Sequence, residues 1–82
     1  MQVTIKYFAS IREAIGQASE QRETAATTLT GLRDELLALG SVYACLGRNK
    51  AVRMALGQVM SAESVLLTPG CEVAFFPPVT GG

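Results

Sequence analysis

The residues best suited to chemistry in this 82-residue chain stand at its C-terminal end. The chain closes on Gly81 and Gly82, so we expect the carboxylate of Gly82 to be free. Because glycine lacks a Cβ atom, these two residues can pass through a channel too narrow for other residues and lie close to a nucleotide phosphate. The pattern favours activation of the Gly82 carboxylate, with a frayed terminus as the alternative.

The rest of the chain offers few reactive side chains. Histidine, the most frequent proton shuttle and metal ligand, is absent. Cys45 and Cys71 lack the spacing of a zinc site and are too few for a disulfide framework, so we expect both to be buried apolar residues. A persulfide on Cys71 is a weaker alternative, because Glu72 beside it disfavours a thiolate. The sequence predicts no metal site and no self-sufficient active site.

Composition and charge narrow the class of protein further. A chain of this length with 49% hydrophobic residues supports one core. Seven basic and seven acidic residues balance and are scattered, which argues against nucleic acid as a partner. No apolar run approaches the length of a membrane span or of a signal peptide. We therefore expect a cytoplasmic protein without a membrane partner.

The first part of the chain predicts two strands and a helical turn. A period-two apolar pattern over residues 2–8 is typical of a strand with one buried face. Ser10 and Glu13 form a capping-box pattern for a helical turn over 11–15, which a glycine ends. Residues 17–24 are expected to pair antiparallel with the first strand. Three residues of that strand are predicted to lie in the core: Val3, Ile5 and Tyr7.

A stripe of leucines predicts the main helix of the chain. Thr27 or Thr28 can cap its N-terminus, and Gly40 is expected to end it in a left-handed conformation. A short helical or irregular piece over 41–46 follows. We expect the stripe to pack in the core rather than to bind a partner, because a sheet in a single domain needs one covering helix. The stripe consists of Leu29, Leu32, Leu36 and Leu39.

The second half predicts a hairpin and a last strand. Apolar residues alternate over 52–56, and Gly57-Gln58 suits a two-residue turn that returns through residues 59–60. A further turn at Pro69-Gly70 precedes a last strand that ends at Phe76. The strands and the helix together predict an α+β fold, a mixed sheet of about five strands with one main helix on one face.

An extended tail is predicted beyond this domain, which we place over residues 1–76. Pro77 and Pro78 cannot continue a central strand and favour a stiff, extended path. Residues 77–82 can therefore project by up to about 20 Å.

Two aromatic side chains are candidates for a docking surface. Phe8 is out of phase with the core residues of the first strand, and Phe76 is out of phase with Val73 and Phe75 of the last strand. Side chains alternate between the faces of a sheet, so both rings should point away from the core. A bulge that turns them inward is the alternative.

The C-terminal segment EVAFFPPVTGG resembles that of the sulfur-carrier small subunit of molybdopterin synthase, the MoaD family of the ubiquitin-like β-grasp superfamily. The resemblance continues through most of the chain, and it is loose over residues 40–50. It includes the segment Tyr7-Phe8-Ala9, Arg12-Glu13 and the Leu32-Arg33 pair of the main helix.

The resemblance implies a mechanism and a set of partners. A ubiquitin-activating-like enzyme would use ATP to adenylate Gly82, and sulfur from a donor such as a cysteine desulfurase or rhodanese would then replace AMP. The resulting thiocarboxylate would enter the large subunit of molybdopterin synthase, in a heterotetramer, and pass sulfur to cyclic pyranopterin monophosphate. The large subunit would supply the catalytic groups, and the chain itself would hold no permanent cofactor.

The resemblance also assigns roles to individual residues. Gly82 would react and Gly81 would give clearance, while Met60 would join Phe8 and Phe76 on the partner-binding face. The remaining tail residues would set reach and direction: Pro77, Pro78, Val79 and Thr80.

Three alternatives remain open from the sequence. A carrier of the same fold could serve thiamine synthesis or another thiolation route. A ubiquitin-like modifier would be joined to lysines through Gly82, and a β-grasp binding module would perform no chemistry.

Overall fold

The described part of the chain contains five strands, two α-helices and a 3₁₀ helix. The computed structural model describes residues 1–47, 52–57, 59–60 and 65–78, with the backbone alone for 59–60. Gln58 and the tail from residue 79 onward lie outside the described residues. The elements in chain order are β1 (Gln2–Tyr7), α1 (Ala9–Ile15), β2 (Ser19–Glu23), α2 (Leu29–Leu39), the 3₁₀ helix (Ser41–Leu46), β3 (Arg53–Leu56), β4 (Val59–Met60) and β5 (Glu72–Phe76).

The strands form one mixed sheet in the order β2-β1-β5-β3-β4. The first and last strands, β1 and β5, lie parallel at its centre, and the other neighbouring strands are antiparallel. The polar segment predicted to pair with β1 does so as β2, which confirms that prediction. The charged β2 stands at one edge of the sheet, where charged side chains discourage pairing with another chain.

One face of the sheet carries the core. Val3, Ile5 and Tyr7 of β1 and Val73 and Phe75 of β5 are all at most 1% exposed, as their alternation predicts. The aromatic rings of Tyr7 and Phe75 stack with centroids 6.2 Å apart. Helix α2 packs on these residues, so the opposite face of the sheet is left without a covering helix among the described residues.

Helix α2 begins where a threonine caps it. The Oγ1 atom of Thr28 accepts a hydrogen bond from the Gly31 amide at 3.0 Å, which satisfies one N–H group of the first turn. Two expectations about the end of this helix were wrong. Leu39 is 52% exposed, because the helix ends there and the chain turns away. Gly40 has φ 150° and ψ −179°, an extended glycine conformation and not the left-handed helical one.

Helix α1 also begins differently from the prediction. The capping box at Ser10 and Glu13 was wrong, because the N-cap is Phe8 and no side chain caps the helix. Ser10 lies inside the first turn, and the carbonyl of Phe8 accepts hydrogen bonds from the amides of Ile11 and Arg12. Gly16 ends the helix at φ 90°, as expected for a left-handed C-cap.

Polar contacts attach the 3₁₀ helix to helix α2 on one side and to strand β2 on the other. Arg33 of α2 is 5% exposed, and its guanidinium donates to the carbonyl oxygens of Leu46 at 2.6 Å and Gly47 at 3.0 Å. On the other side, the hydroxyl of Tyr43 donates to the Glu20 carboxylate of β2 at 3.2 Å. These contacts fix a segment whose own hydrogen bonding is weak.

A tight turn leads into β5. The Cys71 amide donates to the Thr68 carbonyl at 3.0 Å, with Pro69 and Gly70 at the two central positions and Gly70 at φ 78°. This arrangement is typical of a type II turn and confirms the predicted turn.

In the described part of the chain, no helix has the length and apolar character needed to cross a membrane.

Candidate functional site

The face of the sheet opposite α2, which we call the outer face, is built by strand parity. Residues that alternate with the core positions of β1 and β5 occupy it, and the register between strands places them side by side. Ala74 of β5 stands at its centre, opposite Lys6 on one side and Ala55 on the other. Ala55 and Ala74 place small side chains in the middle of this face.

An aromatic pair lies at one end of the outer face. The rings of Phe8 and Phe76 meet edge to face, with centroids 6.5 Å apart and planes at 85°. Phe8 is 45% exposed, and Phe76 is half-buried. The structure thus brings together two of the predicted docking residues, although they lie 68 positions apart in sequence. Their docking role stays a prediction.

The backbone around Phe8 is fixed on both sides. Its amide donates to the carbonyl of Phe75 at 3.1 Å, which extends the parallel pairing of β1 and β5 by one residue. Ala9 then adopts φ 51°, a left-handed conformation that costs a residue other than glycine about 1 kcal/mol. This sharp corner ends the strand at Phe8 and directs the chain into α1, which leaves the ring of Phe8 at the rim of the outer face.

Charged side chains surround the apolar part of the outer face. Lys6 and Glu72, on adjacent strands, form an ion pair with a distance of 3.5 Å between Nζ and Oε1. Arg53 of β3 is paired in register with Phe76, so its side chain lies on the same face and next to the aromatic pair. Arg53 is exposed.

Met60, the third predicted docking residue, lies in the outermost strand. Its backbone pairs with Ala55 of β3 across the β3–β4 hairpin. Its side chain lies outside the described part of the structure, so its place on the docking face stays a prediction.

The tail starts at the boundary between two surfaces. Phe76 ends β5 against Phe8, and Pro77 directly after it lines an open, mainly apolar groove of about 480 Å³. Helix α1, Cys45 of the 3₁₀ helix and Val52 form the walls of this groove. The predicted tail residues Val79, Thr80, Gly81 and Gly82 lie outside the described residues.

The two cysteines are only partly buried. Cys45 and Cys71 form no disulfide among the described residues and pack against the edge of the core, where they are partly buried and not buried as the sequence predicted. Among the described residues, no group of three or more cysteine, aspartate and glutamate side chains could hold a metal ion.

Comparison with known proteins places the chain in a family. The model of the ThiS family matches residues 5–82, which includes the whole of the tail. This chain belongs to the ThiS family. It is 32% identical to the molybdopterin synthase sulfur carrier subunit of Escherichia coli over 80 residues, which cover 98% of this chain and 99% of that protein. The resemblance seen in the sequence is thereby confirmed.

Solved structures agree on the fold. SAMP1, a small archaeal modifier protein of Haloferax volcanii, superposes over the whole of both chains with a TM-score of 0.81 at 21% identity. A chain from the protein–protein complex of subunits 1 and 2 of molybdopterin-converting factor of Helicobacter pylori gives a TM-score of 0.69 at 22% identity, again over both whole chains. These likenesses confirm the ubiquitin-like β-grasp fold.

Sequence reasoning missed two features of this candidate site. The position of Arg53 beside Phe76 depends on the register between β3 and β5, which the alternation of apolar residues does not give. The groove beside Pro77 is formed by segments from four parts of the chain, and no local pattern signals it.

Proposed function

We propose that this protein is the sulfur carrier of molybdopterin synthase and that Gly82 is the residue that carries the sulfur. The observation that supports this most directly is the match of the family to residues 5–82, which include Gly81 and Gly82, together with the likeness to the Escherichia coli carrier subunit over 80 residues. A carrier needs a stable domain and a reactive end that reaches into other proteins. The sequence that follows β5, with two prolines and then two glycines, suits such an arm.

The proposed chemistry takes place on the acyl carbon of Gly82. A carboxylate oxygen of Gly82 attacks the α-phosphorus of ATP, held by an adenylating enzyme, and pyrophosphate leaves. A sulfide equivalent from a sulfur donor then attacks the acyl carbon, AMP leaves, and a thiocarboxylate forms. In the large subunit, this sulfur attacks a side-chain carbon of cyclic pyranopterin monophosphate and displaces an oxygen substituent from that carbon, and water then cleaves the acyl–sulfur bond. Sulfur stays on the pterin, and the carboxylate of Gly82 is restored.

The outer face provides the docking surface in this proposal. Phe8 and Phe76 present apolar area next to the start of the tail, so a partner that covers the pair also receives the tail in a fixed direction. The complex of subunits 1 and 2 of the Helicobacter pylori factor supports a large subunit as that partner. The catalytic acid, base and substrate contacts belong to the partner.

The experiment that tests this function follows sulfur from the tail to the pterin. The chain is prepared with a Gly82 thiocarboxylate and mixed with the large subunit of the same organism and cyclic pyranopterin monophosphate. We expect molybdopterin to form, and intact-protein mass spectrometry should show the carrier returning from thiocarboxylate to carboxylate. A chain ending at Gly81 with its own thiocarboxylate is the matched control, because it tests reach without removing the sulfur.

The alternatives give different results. Return to carboxylate without any sulfur in the pterin would contradict the molybdopterin route and favour another thiolation pathway. Covalent adducts of the chain with lysines of other proteins, abolished by deletion of Gly82, would instead identify a modifier.

A further inference from the structure

Arg53 is a cation at the edge of an apolar surface. It is exposed on β3, on the outer face, and directly opposite Phe76 in the register of β3 and β5. Within the part of the chain that the structure describes, its guanidinium has no ion-pair partner. The other cation on this face, Lys6, is already paired with Glu72.

The position of Arg53 has a consequence for any protein that covers Phe8 and Phe76. Docking on these rings removes water from the surface around them, and a guanidinium that loses water without gaining a partner opposes binding. A carboxylate on the partner removes this penalty, because its two oxygens match the fork of N–H groups of arginine. A neutral or basic partner surface at this point would be rejected.

We infer that Arg53 is a partner-recognition residue, and that the protein docking on the outer face presents a carboxylate to it. This inference rests on the proposed function, since it concerns the large subunit of molybdopterin synthase as the partner. Phe8 and Phe76 supply apolar contact, and Arg53 fixes the register of the two surfaces. The ion pair of Lys6 and Glu72 stays within this chain.

The test compares two substitutions that remove the same charge from the same face. Arg53→Gln removes the unpaired cation, and Lys6→Gln removes the paired one. Affinity for the large subunit is measured by calorimetry at low and at high salt. We expect Arg53→Gln to weaken binding about tenfold or more and Arg53→Glu about a hundredfold or more, with Lys6→Gln within about threefold of wild type. Arg53→Gln should also reduce the salt dependence of the affinity.

A third measurement identifies the carboxylate. Acidic residues of the large subunit are changed to lysine one at a time, and one of them should restore binding to Arg53→Glu. Circular dichroism and thermal unfolding of each variant establish that the carrier is still folded, which we expect because the side chain of Arg53 is exposed.

The outcomes separate this inference from the proposed function, which fails if the wild-type chain does not bind the large subunit at all. If Phe76→Ala loses binding while Arg53→Gln and Arg53→Glu bind like wild type, Arg53 has no recognition role and the docking face stands. If Lys6→Gln weakens binding as much as Arg53→Gln, the effect is one of net charge, and the specific contact is refuted. If Phe76→Ala and the Arg53 variants all bind like wild type, both the docking face and this inference fail.

Discussion

Replacement of Phe8 by alanine should lower the affinity for the large subunit strongly while leaving the chain folded. The ring of Phe8 is 45% exposed, so with about 200 Å² for a whole phenylalanine side chain, about 90 Å² is available to a partner. At about 25 cal/mol per Å², covering this area contributes about 2 kcal/mol to docking. Phe8→Ala should therefore lower the affinity for the large subunit about 30-fold.

The cost of the same change to the folded chain should be smaller than for a core residue. The ring is half out of the protein, and its main contact is the edge-to-face pair with Phe76, a type of contact that contributes about 0.5 to 1.5 kcal/mol. Truncation of a fully buried phenylalanine costs about 3 to 5 kcal/mol, so we expect a loss of about 1 to 2 kcal/mol from the free energy of unfolding. Urea denaturation measures this loss, and calorimetry with the large subunit measures the affinity.

Leu39→Ala is the matched control for Phe8→Ala. Leu39 is 52% exposed at the end of α2, away from the outer face, so it offers a similar fraction of exposed apolar side chain. We expect its affinity for the large subunit to equal that of wild type. Equal losses of affinity for Phe8→Ala and Leu39→Ala, or no loss for Phe8→Ala, would refute docking on the outer face.

Two further predictions concern the polar contacts behind the site. Arg33→Met should lower the free energy of unfolding by about 2 to 4 kcal/mol, because the carbonyls of Leu46 and Gly47 lose their hydrogen-bond donor. Urea denaturation measures this loss. A loss below about 1 kcal/mol would mean that water replaces the guanidinium as the donor. Burial and the adjacent Glu20 carboxylate raise the pKa of Tyr7 above its usual value, so the folded state holds the phenol proton more tightly than the unfolded state. The stability from this group is therefore intact below about pH 10 and is lost as the pH rises further, by up to about 1.4 kcal/mol per pH unit. Tyr7→Phe should show a shallower alkaline loss of stability in denaturation series above pH 10, and identical slopes would contradict the assignment.

Much of the fold could be predicted from local patterns. The alternation of apolar and other residues in β1 and β5 identified the core residues. One face of each strand is buried, so a period of two shows which side chains point to the core. Thr28 and the following leucines identified α2 because a capping residue and a helical stripe agree there. The outward direction of Phe8 and Phe76 followed from the same parity.

The errors came from positions where tertiary contacts decide the local structure. Ser10 and Glu13 matched a capping pattern, but Phe8 is held in extended conformation by its hydrogen bond to β5, and the strained Ala9 begins the helix early. Leu39 continued the leucine stripe in sequence, yet the helix ends there and Leu39 is 52% exposed.

The candidate site was predictable in part. The tail and the aromatic pair could be proposed from sequence because each depends on a residue type with a restricted use, a terminal glycine pair or a phenylalanine out of phase with its strand. Arg53 could not be assigned to the site, because its neighbours come from strands whose register is fixed by the whole sheet.

Formation of the thiocarboxylate on Gly82 is the central claim, and intact-protein mass spectrometry tests it most directly. The chain is incubated with ATP, a sulfur donor and the adenylating enzyme of the same organism, beside a variant that lacks Gly82. We predict that the wild-type chain alone gains the mass of one oxygen-to-sulfur exchange and that the gain requires ATP. An unchanged wild-type mass under conditions in which the same enzyme thiocarboxylates a known carrier would contradict the account.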